Sequence, residues 1–543
     1  MPTHDVINQS PVLAELNVAT SDSSLRCALE AFAPTAKTEE LHRLGELAGR
    51  HTTLALGEQA NRHLPELHTH DRLGNRIDEV QFHPAWHELL AHATEFGLHA
   101  APWVEHERHA HLLRAAKFYV WAQVEAGHGC PISMTYASIP ALRLNQSLAR
   151  TWEPALAARA YDPLLRPIAK KCSALCGMAM TEKQGGTDVR ANTTHATPTG
   201  SDDLFRLVGH KWFCSAPMSD AFLVLAQAPG GLTCFFLPRV LPDGSNNSFM
   251  LQRLKDKMGN RSNASAEIEL DGTLAWMIGE EGRGVRTIVE MVNHTRLDCM
   301  LGSSGLLRMA LLQAVWHCEH RMAFGKTLND WPLMQNVLAD LTLESEASTL
   351  LALRVAHSVD RAPNDPREAG VKRFGTALGK YWICKRAPAA IGEALECLGG
   401  NGYVEESMLP RLYREAPVNS IWEGSGNVNA LDILRIANRE PECIDAFEHE
   451  ITLARSDERL RAHAEHLIGT LRRGVAESDA RRICENAALL WQACLLLAHC
   501  PEIVADTFIA SRIQGDSGRA FGTLQSPHLS ALARRATELL SET

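Results

Sequence analysis

The feature that most constrains this chain is a change of period along it. From about residue 25 to residue 179 apolar side chains recur at helical spacing, as in Leu41, Leu44, Leu47 and Ala48 and again in Leu112, Ala115, Ala116 and Tyr119. From Met180 to about Glu290 the period shortens to that of strands. Phe222-Leu-Val-Leu-Ala226 and Thr233-Cys-Phe-Phe-Leu237 flank the turn Pro229-Gly-Gly231, and Ala266-Glu-Ile-Glu-Leu270 alternates as a half-buried strand does. Leu241-Pro-Asp-Gly244 reads as a further turn. Helical spacing returns from Val292 to about Asn438, breaks at Arg439-Glu-Pro-Glu442, and resumes to the end. The order predicts a mainly α fold with a middle β domain. It divides into an N-terminal arm and helical domain (1–179), a β domain (180–290), a helical bundle (291–439) and a C-terminal helical domain (440–543). A chain of 543 residues is too long for one ordinary core, which fits such a division.

The same order argues against a parallel dinucleotide-binding fold. Leu398-Gly-Gly-Asn-Gly-Tyr403 and Gly279-Glu-Glu-Gly-Arg-Gly284 are rich in glycine but lack the G-x-G-x-x-G spacing and a preceding strand. A formal charge of −10 gives no reason to expect wholesale binding to nucleic acid or to an anionic membrane. No uninterrupted apolar stretch reads as long enough to span a bilayer. The start, Met-Pro-Thr-His-Asp-Val, lacks a basic region followed by an apolar run, so a cytoplasmic protein is expected. The 14 cysteines are scattered and read as free thiols, with Cys172 and Cys176 as a buried pair one helical turn apart. Among the 25 histidines, His83 with His87 and His106 with His109 have helical spacing, but each pair supplies only two ligands, and no metal is expected.

Candidate chemistry begins at Asn419-Ser-Ile-Trp-Glu-Gly-Ser-Gly-Asn427. It holds one carboxylate, Glu423, with the Trp422 indole before it and Gly424 and Gly426 after it. An apolar neighbour raises the cost of ionising a carboxyl group, which suits a proton acceptor. The glycines allow a tight turn and a close approach, and Asn427 can cap the helix implied by Val428, Leu431, Leu434 and Ile436. The segment therefore suits a base beside an anionic ligand, although a tight turn opening a core helix explains the same letters. Three further segments carry polar or aromatic groups. Ala179-Met-Thr-Glu-Lys-Gln-Gly-Gly-Thr-Asp188 offers the hydroxyls of Thr181 and Thr187 with paired glycines. Gly209-His-Lys-Trp-Phe-Cys-Ser215 places an indole beside small side chains, and Arg321-Met-Ala-Phe-Gly-Lys326 offers a cation and a ring.

Together and in this order these segments resemble the acyl-CoA dehydrogenase family. Ala179 to Ala191 matches the family's first signature and Glu396 to Glu415 its second, and the resemblance covers about residues 80–440. The wording Met180-Thr-Glu-Lys-Gln-Gly185, the long N-terminal arm and the extra C-terminal domain are similar to the branch that serves the adaptive response to DNA alkylation. The resemblance implies an FAD-binding homotetramer acting on acyl-CoA or another small substrate. It places Met180, Thr181, Gly186 and Thr187 against the flavin, with Trp212, Cys214 and Ser215 covering it. Arg321, Phe324, Gly399 and Gly400 match positions that reach the FAD of a neighbouring subunit. Trp422, Gly424 and Asn427 complete the cofactor set, and Lys183 with Thr187 faces the substrate.

Glu423 falls on the family's catalytic base. The position used for the base in a minority branch is Thr295, before Arg296, and a threonine cannot serve. The implied reaction is removal of the thioester α-proton by Glu423 with transfer of the β-hydride to flavin N5, leaving a 2,3-unsaturated thioester. Three departures bear on efficiency. Cys214 stands where a hydroxyl residue is usual, Pro332 where a glutamine is expected (Gln335 lies three further on), and Lys183 where proline is usual.

The same branch implies binding of double-stranded DNA by the C-terminal domain. From Glu440 onward there are 11 Arg and no Lys against 16 Asp or Glu, a net of −5 and the opposite of a typical basic domain. The cations do cluster, as Arg472-Arg473, Arg481-Arg482 and Arg534-Arg535. They form either a phosphate-binding stripe or a solvated face making pairs along its helices. A second reading of the whole chain is a DNA-protective flavoprotein with vestigial dehydrogenase activity.

Overall fold

A computed structural model describes residues 3–105, 107–201 and 203–540. By internal contacts it forms two compact units. A β unit comprises Ala55–Glu107 and Glu125–Thr295, and a helical unit comprises Met1–Leu54, Arg108–Val124 and Arg296–Thr543. The chain thus enters each unit more than once, a division that its period alone does not show.

The β unit opens with an antiparallel ribbon, β1 (Glu66–His70) and β2 (Arg76–Gln81), inside the region whose period predicted helices only. Its strands are half exposed and carry few apolar residues, so alternation gives little signal there. The Asp71 carboxylate makes the turn, accepting from the amides of Leu73 and Asn75 at 2.8 and 2.9 Å.

The remaining strands are β3 (Cys176–Ala179), β4 (His195–Pro198), β5 (Leu204–Ser215), β6 (Ala221–Ala228), β7 (Gly231–Pro238), β8 (Met250–Leu254) and β9 (Ser265–Ile278). They form one seven-stranded sheet in the order β3-β6-β4-β5-β9-β7, with β8 on β9, and pairing of β6 with β7 closes the path into a ring. The β6–β7 hairpin and the strand at 266–270 fall where the sequence puts them. Strands β6 and β7 are buried almost throughout, as their continuous apolar runs require. Cys172 and Cys176 depart from expectation: the segment is extended rather than helical, and Cys172 is exposed while Cys176 is buried at the start of β3. All 14 thiols are free.

The helical unit is built on two long helices, Pro332–Arg361 and Pro366–Glu396. The second starts where Asp365 caps the amides of Arg367 and Glu368 and Pro366 takes the first turn. The helices after residue 440 join this same core. Phe374 packs against Phe447 with the rings tilted and their centres 4.6 Å apart, Phe447 meets Trp491 at 5.7 Å, and the Trp382 indole donates to Gln492 at 3.0 Å. The C-terminal segment is therefore packed into the bundle and is not a separately folded appendage. One helix, Gly284–His320, is long and apolar enough to cross a membrane by length and composition, yet 89% of its apolar window is buried inside the protein, as in a core helix.

Candidate active site

The Glu423 loop lies in the helical unit, between the helices Leu409–Asn419 and Gly426–Arg439. Glu423 and Gly424 both have positive φ, 57° and 94°. The left-handed region is unusual for glutamate and stores on the order of 1–3 kcal/mol. At Gly424 a Cβ would also come within 2.9 Å of Val428, so glycine is needed there on two counts.

What holds this conformation is a set of side-chain donors aimed at the loop's carbonyls. Lys380 Nζ donates to the carbonyls of Trp422 and Gly424 at 2.7 and 2.6 Å, on either side of the base. Arg296 Nε donates to the Glu423 carbonyl at 2.9 Å. Asn429 Nδ2 donates to the carbonyls of Gly424 and Ser425 at 2.7 and 3.1 Å. Lys380 is 1% exposed and Asn429 is fully enclosed, so these bonds form out of water. Bonds from charged donors contribute about 1.5–3 kcal/mol each, so the two from Lys380 and the one from Arg296 together exceed the local strain.

Arg296 is itself fixed by Asp432, 2.9 Å from its other nitrogen, and Arg373 bonds both oxygens of Asp432. Burial works against the charge on Asp432, but the two guanidinium groups overcome it and hold its pKa below the usual value. Burial raises the pKa of the Cys299 thiol well above its ordinary value, against the opposing charge of Lys380. The Trp422 indole donates to Asn419 at 3.1 Å. Asn427 is not the helix cap. Ser425 occupies that position, and Asn427 Oδ1 instead accepts from Arg481.

The sequence missed Lys380, Asn429 and the role of Arg296. A signal existed for the first: Lys380 is a lone cation within the apolar run from Phe374 to Cys384. Thr295 bonds the Val292 carbonyl from inside its helix, as a hydroxyl rather than a base would. The position of the expected glutamine, Pro332, opens a helix, and Gln335 donates to the Asn329 carbonyl. Elsewhere in this unit Phe324 forms the tip of a two-residue hairpin between β10 (Met322–Ala323) and β11 (Lys326–Thr327). Its φ is 52°, and it is 94% exposed. Beside it Asn8 of the N-terminal arm exchanges two bonds with the Met322 backbone, and Arg321 donates to the Asn8 carbonyl. Around Gly399 and Gly400 nothing lies within 4 Å of where a Cβ would point.

In the β unit, Thr181 to Gly186 form a second turn. Glu182 and Gly185 pair backbone to backbone at 3.1 Å in both directions. The Glu182 carboxylate is wholly buried and receives Lys211 Nζ at 2.7 Å, the amides of Thr193 and Thr194, and Gln184 Nε2. Burial opposes its charge, but Lys211 and these bonds lower its pKa to about 2. Glu182 thereby ties the turn to β5. The Thr181 side chain packs against Gly186, the Asn192 amide caps the Met180 carbonyl, and the Trp212 amide donates to the Thr181 carbonyl at 2.8 Å.

A β-bulge in the β5–β9 ladder falls between Lys211 and Cys214 and turns Trp212 and Phe213 out of register. Lys255 Nζ stands 3.2 Å from the centre of the Trp212 ring, with Lys183 and Arg253 also within cation–π range. Cys214 is fully enclosed, and burial raises its pKa well above the ordinary thiol value. Ser215 bonds Ser265. Thr187 and Lys183 are exposed. A half-buried threonine, an indole and a group of cations beside a glycine turn suit a planar, anionic cofactor such as FAD.

The six C-terminal arginines do not form one free stripe. Arg535 is tied to buried Glu346 at 2.7 Å, Arg534 lies 3.6 Å from Asp330, and Arg472 pairs with Asp445 and Glu448. Arg482 pairs with Asp479 one turn away, and Arg481 bonds Asn427. Among the described residues no carboxylate pairs with Arg473. Nor does any group of three or more His, Cys, Asp or Glu among them suit a metal. His83 caps its own helix and His87 bonds Tyr161, His109 stacks on His357, and His106 lies outside the described residues.

Residues 8–163 match the profile of the adaptive response protein AidB N-terminal domain, residues 177–273 the acyl-CoA dehydrogenase middle domain, and residues 282–437 the acyl-CoA dehydrogenase C-terminal domain. AidB of Escherichia coli (strain K12) is 44% identical over 90% of each chain. The chain belongs to the acyl-CoA dehydrogenase family, in its AidB group. Acyl-CoA dehydrogenase family member 11 of Caenorhabditis elegans is 30% identical over 82% of this chain and 77% of its own. The solved Caenorhabditis elegans ACDH-11 structure in complex with C11-CoA superimposes with a TM-score of 0.82 at 26% identity, covering 99% of this chain and 94% of that one. As a family member the chain is an FAD-dependent oxidoreductase acting on CH–CH groups.

Proposed function

We propose that this AidB-group protein dehydrogenates an acyl thioester with Glu423 as the base. The observation that carries the reading is the carbonyl-held loop. Lys380, Arg296 and Asn429 fix the backbone on both sides of Glu423 in a left-handed conformation that is unusual for glutamate. A thioester carbonyl acidifies the neighbouring C–H, and a carboxylate held at that carbon takes the proton without having to search for it. Thr181 and Trp212 would hold the cofactor, with Lys183, Arg253 and Lys255 favouring its anionic groups. FAD, when bound, supplies the two-electron acceptor. The enclosed Cys214 thiol is a weak donor and leaves this position poorer in hydrogen bonding than a hydroxyl would. The Caenorhabditis elegans relative binds C11-CoA, so a medium-length saturated acyl-CoA is the first substrate to test. The purified protein should be yellow, and anaerobic addition of that thioester should bleach it. A panel of short, branched and medium acyl-CoAs that leaves the flavin oxidised would sink this reading.

We further propose that the protein is a cytoplasmic homotetramer of the alkylation response that associates with double-stranded DNA. The family profile over residues 8–163 supports the link to the adaptive response, and the exposed Phe324 and Tyr403 support subunit contacts. For DNA the support narrows to the surface around Arg473, since Asn427 engages Arg481 and Asp479 engages Arg482. Duplex binding should weaken steeply with salt and fall in Arg473→Ala. Binding unchanged in that variant would remove this surface from the account.

A further inference from the structure

Part of the hold on the Glu423 loop comes from beyond the acyl-CoA dehydrogenase C-terminal domain profile, which ends at residue 437. Arg481, in the helix Ala480–His499, donates from Nε to Asn427 Oδ1 at 2.9 Å. Its guanidinium stands 3.6 Å from where a Cβ on Gly426 would lie, beside Lys385. A cation at the first turn of a helix opposes the helix dipole, so this placement is not explained by helix stability. From the other side Glu440, which precedes the helix Pro441–Glu450, accepts two bonds of 3.1 Å from Arg373. Arg373 grips Asp432, Asp432 grips Arg296, and Arg296 holds the Glu423 carbonyl. One direct contact, to Asn427, and one chain of ion pairs, to the Glu423 carbonyl, thus run from residues 438–543 to the segment that carries the base, all within the helical unit.

We propose that the C-terminal helices are a positioning element for the base, with Arg481 and Glu440 as the residues that transmit it. This rests on the reading of Glu423 as base. The two lines act at different points: Arg481 fixes the start of the helix Gly426–Arg439, and Glu440 fixes the orientation of Arg373 and, through it, of Arg296. Neither residue meets the substrate. Their effect is on where the loop rests and how often it leaves that position.

Full-length Arg481→Ala, Arg481→Lys and Glu440→Gln, each loaded with FAD, test the inference, with Arg455→Ala as a control on an exposed pair in the same segment. The first readout is amide hydrogen exchange over residues 419–430. In Arg481→Ala and Glu440→Gln it should rise about fivefold, the effect of one lost hydrogen bond, and Arg481→Lys should recover part of the protection. The second is anaerobic flavin reduction at saturating and half-saturating acyl-CoA. The saturated rate should fall on the order of tenfold in Arg481→Ala with the half-saturating concentration unchanged, as expected of a misplaced base rather than a damaged binding site. Exchange in Arg481→Ala equal to wild type, or an equal rise in Arg455→Ala, overturns the inference. A failure of the base assignment looks different: Glu423→Gln would reduce as fast as wild type while the exchange response of Arg481→Ala persisted.

Discussion

Two glutamates in glycine-rich turns, Glu182 in the β unit and Glu423 in the helical unit, are held in opposite ways. Glu182 is held by its side chain, whose carboxylate is saturated by Lys211, Thr193, Thr194 and Gln184. Glu423 is held by its backbone, through carbonyls that Lys380, Arg296 and Asn429 occupy. The first arrangement uses the carboxylate as a structural anchor. The second fixes the position of a carboxylate by gripping the chain around it. Letters alone do not separate Thr-Glu-Lys-Gln-Gly-Gly from Trp-Glu-Gly-Ser-Gly, since each offers an acid and two glycines.

The largest effect that would break the comparison is expected at Lys211. Lys211→Met leaves the Glu182 charge buried without its partner and should destabilise the protein by about 3–5 kcal/mol in urea unfolding. A loss below 1 kcal/mol would show that the pair is not the anchor. The same pair sets an acid limb. The pKa of Glu182 is lowered from 4.5 to about 2, so its contribution is fully present above about pH 4.5 and is lost as pH falls toward 2. Unfolding followed against pH should show this limb in wild type, and Glu182→Gln should flatten it.

Lys380→Met should act in the other register. Two carbonyls lose a shared donor, stability falls by about 2 kcal/mol, and flavin reduction slows on the order of a hundredfold while flavin stays bound. Equal loss of flavin and rate would assign Lys380 to cofactor binding instead. The glycines give the smallest contrast. Gly424→Ala meets both a positive φ and Val428 and should cost about 1–2 kcal/mol, whereas Gly186→Ala meets only the Thr181 side chain at 3.1 Å and should cost less. Thermal midpoints of the two variants check the order.

Much of the fold was legible because period survives in sequence. The β6–β7 hairpin, strand β9 and the long helices follow it directly. The β1–β2 ribbon did not, since its half-exposed strands have few apolar residues to alternate. The union of the C-terminal helices with the bundle was hidden too, because contacts such as Phe374 with Phe447 join residues far apart in the chain. At the site, Glu423 and its glycines could be named from local letters. Lys380 could not be tied to them, lying 43 positions before Glu423 (423 − 380) in the helix Pro366–Glu396. The six arginines looked like a stripe in sequence. Their partners Glu346, Asp445, Glu448 and Asp330 come from other elements, so pairing was invisible until the fold was known.

The contrast between the two glutamates comes down to one crossed measurement, the rate of anaerobic flavin reduction by acyl-CoA per bound flavin in Glu423→Gln beside Glu182→Gln. The account predicts that Glu423→Gln keeps its flavin and its stability and loses on the order of a hundredfold to ten-thousandfold in rate, while folded Glu182→Gln reduces near the wild-type rate. A Glu423→Gln protein that bleaches as fast as wild type, or a folded and flavin-loaded Glu182→Gln protein that does not bleach, would contradict it.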